Sequence, residues 1–150
     1  MPETLDRPPP PAVTGEFTAW LPRHRRSAGA ARRLLRDFLA GLETGKRYLD
    51  VGELLVSELV ANAVEHARVP SCRLVGVRYE LAADRLRIEV HDGGNGRPAA
   101  GEVPVEQESG RGLWLVRELS TAWGCHPREG GTGTCVWALL APDGAPGEAA

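Results

Sequence analysis

The sequence predicts an α+β fold, a β-sheet with helices packed on one of its faces. Three observations carry this. Residues 85–91 alternate, with Leu86, Ile88 and Val90 on one side and Arg87 and Glu89 on the other, the signature of a strand buried on a single face. Ala31, Leu34, Leu35, Phe38 and Leu42 recur at the spacing of an amphipathic helix. Leu55, Val56, Leu59, Val60, Ala63 and Ala67 then fall within less than half of a second helical wheel.

Taken in order, residues 17–21 read as a short first strand. The first helix starts near Ser27, and Arg25, Arg26, Arg32, Arg33 and Arg36 fill its polar surface, as a solvated charged face does. Residues 41–46 resemble a phosphate loop but fall one residue short of the Walker spacing. Arg47 also stands where a magnesium-binding Ser or Thr is needed. The segment is therefore read as the turn that ends the helix. Residues 48–67 form the longer helix, closed by Pro70. Residues 72–81 and 85–91 are strands joined by a tight turn at 82–84. Residues 92–110 make a loop rich in Gly and Pro, too long for an idle connection. A helix over 112–119 follows, then strands at 121–126 and 134–140 joined near Gly130, Gly131 and Gly133.

The chain has 150 residues, 42% hydrophobic and 25% charged, with a net charge of -2. This suits one globular domain over residues 16–141. Tails at 1–15 and 142–150, rich in Pro, Gly and Ala, are expected to lack fixed structure. The charge balance gives no pull toward nucleic acid or an anionic membrane. No segment reads as a signal peptide or membrane span, so a cytoplasmic location is expected. Cys72, Cys125 and Cys135 form no CxxC pair, and buried reduced thiols are expected.

Four features line up as chemistry. Glu58 and Asn62 are four residues apart on the long helix and share a face at the margin of its apolar stripe. An amide oxygen is a hard ligand suited to Mg2+, and a neighbouring carboxylate can accept a proton. Asp92, Gly94 and Gly96 follow the alternating strand directly. An acid there can accept a hydrogen bond from an exocyclic amine, while the glycines admit close backbone approach. Gly94, Gly96 and Ala99 also fit G-x-G-x-x-A, but Pro98 and Gly101 oppose the immediate helix that a dinucleotide site needs. Gly110, Arg111, Gly112 and Leu113 lead into a helix, whose free N–H groups and positive dipole end suit phosphates. Last, Thr132 and Thr134 stand just before Cys135, Val136 and Trp137.

In order and spacing these features resemble the N, G1, G2 and G3 boxes of the Bergerat ATPase superfamily, which includes gyrase B, Hsp-type chaperones, sensor histidine kinases and MutL. SELVANAVEHA (57–67), HDGGNGRP (91–98), ESGRGLWLV (108–116), Trp123–Gly124 and VWALL (136–140) resemble the anti-sigma-factor serine kinases. The Arg-rich first helix fits that family too. The resemblance implies a two-layer α/β sandwich with a mixed sheet and a nucleotide held between a helix and a lid loop. It implies that Asn62 holds Mg2+, Glu58 is the general base and Asp92 takes the adenine amine above Gly94 and Gly96. Gly110, Arg111, Gly112 and Leu113 would meet the phosphates, and Thr134 or Thr132 would support Asp92. His66 is read as structural.

The function expected is ATP-dependent phosphorylation of a serine or threonine on an anti-anti-sigma partner, with a sigma factor as the second partner and a homodimer left open. A sensor histidine kinase fragment fits less well, since no phosphoacceptor helix precedes the domain. A non-catalytic binding module and a plain ATPase are the alternatives.

Overall fold

The computed structural model describes residues 12–65, 74–92, 110–128 and 133–141, with the backbone alone described for 110–113. Five strands form one sheet: β1 (Val13–Pro22), β2 (Leu74–Ala82), β3 (Arg85–Asp92), β4 (Ala122–Pro127) and β5 (Thr134–Leu140). Their spatial order is β1-β2-β3-β5-β4. Helices α1 (Ser27–Ala40), α2 (Leu49–Glu65) and α3 (Gly110–Leu119) pack on one face. The sheet departs from the mixed one expected, because every described pairing is antiparallel. The reason is topological. The connection through α3 carries β4 past the neighbouring position, and β5 turns back into the gap, antiparallel to both β3 and β4.

The edges also differ from the sequence reading. β1 begins at Val13, inside the segment expected to be tail, because Val13 pairs with Ala82 and the Thr14 hydroxyl donates to the Leu81 carbonyl at 3.0 Å. Backbone pairing holds a segment whose own side chains bury little. α3 begins at Gly110, two residues earlier than expected.

The alternation in β3 does as the pattern predicts. Leu86, Ile88 and Val90 are buried with Val75, Val77, Tyr79 and Leu81 of β2, and Leu35, Leu39, Leu55, Val56, Leu59 and Val60 cover them from above. Tyr79 pins α1 to the sheet. Its hydroxyl donates to the Ala31 carbonyl at 2.8 Å, and its ring stacks on Phe17 with centroids 5.7 Å apart. Burial raises the Tyr79 phenol pKa, so it stays protonated as a donor.

The arginine face of α1 is only partly solvated. Arg25, Arg26 and Arg33 are exposed. Arg32, however, donates to Ser57 at 2.6 Å, and Arg36 makes a two-pronged ion pair with Glu53, at 3.0 and 3.3 Å. Both contacts fix α1 against one flank of α2.

Residues 45–48 form a single 3-10 turn after α1, as expected of a helix ending rather than a phosphate loop. Gly45 is buried there, and a Cβ on it would lie 2.1 Å from the Leu39 carbonyl oxygen. Gly45→Ala is therefore expected to destabilise the protein by about 1–3 kcal/mol through overpacking against rigid backbone. A lower denaturant midpoint at unchanged slope is the readout, and an unchanged midpoint would contradict the close approach.

Candidate nucleotide site

The site is best located from α2. Its buried residues Gly52, Leu55, Val56, Leu59 and Val60 face the sheet, while Glu53 and Ser57 meet α1. Helical geometry then puts Glu58 and Asn62 on the opposite flank, the side on which α3 packs against α2. Both are half-buried.

The direction of α2 is set by Gly52. A Cβ on it would lie 3.4 Å from Leu86, at the beginning of β3. From Gly52 to Asn62 the helix advances roughly 15 Å. From Leu86 to Asp92 the strand advances roughly 20 Å. After Glu65 the chain returns to the sheet at β2, whose Val75 pairs with Asp92. The last turns of α2, with Glu58 and Asn62, thus run toward the sheet end that carries Asp92.

At that end the apolar face stops and polar chemistry begins. Asp92 occupies the next helix-facing position of β3 after Leu86, Ile88 and Val90. It is half-buried, and its cross-strand neighbour on β5 is Thr134. Gly133, at φ 81°, turns the chain into β5 just ahead of that threonine, and its carbonyl accepts from the Arg128 N–H at 3.0 Å. A carboxylate and a hydroxyl side by side at the end of an apolar sheet face suit the amine edge of a purine. The carboxylate and amide on the α2 flank directed to this end suit a metal-bound phosphate chain and a hydroxyl that must lose a proton.

Other expected site residues are placed less fully. Gly110, Arg111, Gly112 and Leu113 form the first turn of α3, as a phosphate-facing helix start requires. Gly94, Gly96, Thr132 and His66, together with the loop expected to act as a lid, lie outside the described residues. Among the described residues, Thr134 has the position beside Asp92.

Sequence reasoning missed a second polar cluster on the helix-free face of the same strands. Glu89 accepts from the Arg87 Nε at 2.7 Å and lies 2.9 Å from His91 Nε2. Those partners hold its carboxyl at about 2, the hydrogen bond from His91 contributing most. Cys135 lies opposite His91 and is 1% exposed. The alternation had already placed Arg87 and Glu89 on this face, and extending it by two residues would have added His91. The expectation of buried thiols holds for Cys135 but fails for Cys125, which is exposed on edge strand β4.

The fold, three helices on one face of an antiparallel sheet, is that of an ATPase-type domain. Residues 21–140 match the family model described as the histidine kinase-like ATPase domain, and the chain belongs to that family. The chain is also similar to the sensor histidine kinase PdtaS of Mycobacterium tuberculosis, in strains CDC 1551 / Oshkosh and H37Rv, at 38% identity over 71 residues. That match covers 46% of this chain and 14% of the relative. No helix among the described residues is long and apolar enough to cross a membrane.

Proposed function

We propose that this domain binds ATP with Mg2+ and acts as a regulatory serine/threonine kinase, an anti-sigma factor that phosphorylates an anti-anti-sigma partner. The observation that carries the reading is the flank of α2 bearing Glu58 and Asn62, directed toward the sheet end where Asp92 meets Thr134. Family membership supports the nucleotide. The sequence SELVANAVEHA and the glycine-arginine start of α3 support the serine-kinase branch.

In this reading Asp92 accepts the adenine amine, with Thr134 beside it and Gly94 and Gly96 admitting the base. The first turn of α3, from Gly110 to Leu113, directs N–H groups at the phosphates, and Arg111 adds positive charge. Asn62 holds Mg2+, which neutralises phosphate charge when bound. Glu58 takes the proton of the partner's hydroxyl as its oxygen bonds to the γ-phosphorus. The bond from that phosphorus to the bridging oxygen breaks, and ADP leaves.

The match to a sensor histidine kinase favours one other acceptor, a histidine. One experiment separates the readings. The purified protein is incubated with γ-labelled ATP and the regulator encoded beside its gene, and the product is exposed to acid. Acid-stable label on the regulator supports serine or threonine transfer, and acid-labile label supports histidine. ATP binding without transfer favours a non-catalytic module that sequesters a regulator, and phosphate release without a partner favours a plain ATPase.

A further inference from the structure

The helix-free face of the sheet carries a row of chemistry that the nucleotide site does not use. His91 of β3 lies directly across from Cys135 of β5, and Cys135 from His126 of β4. Glu89 is two residues before His91 on the same face. One donor atom each from Glu89, His91 and Cys135 lies within 4.8 Å of the others. We propose that Glu89, His91 and Cys135 form a binding site for a divalent transition metal of the zinc class.

The donor set decides the kind of ion. A carboxylate oxygen, an imidazole nitrogen and a thiolate sulfur together suit zinc or cobalt and disfavour Mg2+ and Ca2+, which want oxygen alone. The site is therefore chemically separate from the Mg2+ position at Asn62. Tetrahedral zinc bonds of about 2.0–2.3 Å put donors roughly 3.3–3.8 Å apart, so the three groups need only small rotamer changes to close on an ion. A water or His126, the next member of the row, completes four ligands.

The surroundings of Cys135 point the same way. Cys135 is almost wholly buried, yet its polar neighbours are a carboxylate and an imidazole rather than a purely apolar shell. Its thiol is pushed up to about 11, first by burial and then by Glu89, so without an ion it stays protonated and inert. A divalent ion with the Glu89 carboxylate and a Cys135 thiolate is neutral, one unit more positive than the metal-free site with its Cys135 thiol. Arg87 already bonds Glu89 and lies over the Trp137 ring at 4.8 Å, so it can remain as an outer partner. Arg128 donates to His91 Nδ1 at 3.2 Å and also lies over the Trp20 ring, 5.3 Å from its centroid.

The proton balance follows from that network. With Nδ1 accepting from Arg128, His91 carries its proton on Nε2, toward Glu89. An ion bound at Nε2 moves that proton to Nδ1, which displaces Arg128 from the ring. Cys135 loses its thiol proton to solvent, so one proton is released per ion. The ion would bridge β3 and β5 on the reverse side of the backbone from Asp92 and Thr134, the immediate chain neighbours of His91 and Cys135.

Cobalt(II) titration of the metal-free, reduced full chain tests this. Expected are a near-ultraviolet thiolate-to-cobalt charge-transfer band, visible bands of four-coordinate cobalt, and loss of both when zinc is added. Cys135→Ser abolishes the charge-transfer band. Glu89→Gln, with a native circular dichroism spectrum, lowers cobalt affinity at least about tenfold. Cys125→Ser, Cys72→Ser and Asp92→Asn keep the band. Absence of the band in the wild-type protein, or its survival at full intensity in Cys135→Ser, overturns the site.

Discussion

Glu58→Gln lowers the rate of phosphoryl transfer about 10²–10⁴-fold, the usual contribution of a general base, while ATP affinity stays close to that of the wild type. Gln keeps the size and hydrogen-bonding reach of Glu but cannot take the proton of the incoming hydroxyl. Glu58 is half-buried on the flank of α2 that faces α3 rather than on the flank tied to α1, so the substitution leaves the Arg32–Ser57 and Arg36–Glu53 contacts in place. Single-turnover transfer to the cognate partner, beside equilibrium ATP binding, is the measurement. Transfer at the wild-type rate would remove Glu58 from the role of base.

Asn62→Ala removes the dependence of ATP binding on Mg2+. Losing a direct ligand costs at least as much as losing an outer-shell partner, about 10–100-fold in metal affinity. In the wild type, adding a chelator should weaken ATP binding. In Asn62→Ala, binding should be weak with or without the chelator. The residue is half-buried beside Ala63 and Val64, which pack on the core, and alanine suits a helix interior, so thermal stability should change little. An Asn62→Ala protein that still responds to Mg2+ as the wild type does would place the metal elsewhere.

Much of the candidate site's placement was legible in the sequence because it rests on local periodicity. The i, i+4 relation of Glu58 and Asn62 needs only helical periodicity, and the apolar alternation leading to Asp92 needs only strand periodicity. Partner choice between strands is not local. Residues 121–140 read as two strands, but nothing in them says that β5 enters between β3 and β4, so the antiparallel pairing of Asp92 with Thr134 waits on the structure. The same limit hid the Glu89, His91 and Cys135 cluster, which exists only once β3 and β5 are in register. It also hid the reach of Arg32 and Arg36 across to α2. A long basic side chain on a helix reads as solvated until the neighbouring helix is known. The early start of β1 has a similar cause, since Val13 and Thr14 are held by partners in β2 rather than by a pattern of their own.

Asp92 is expected to select adenine at the end of the apolar sheet face. Calorimetric titration with ATP and with GTP in the presence of Mg2+, on the wild type and on Asp92→Asn, tests it most directly. A hydrogen bond to a charged group is worth about 1.5–3 kcal/mol, or roughly 10–100-fold in affinity. The wild type is expected to bind ATP at least about tenfold more tightly than GTP, and Asp92→Asn to lose ATP affinity by a similar factor and with it most of the discrimination. Equal affinity for the two nucleotides in the wild type, or ATP binding unchanged in Asp92→Asn, would contradict it.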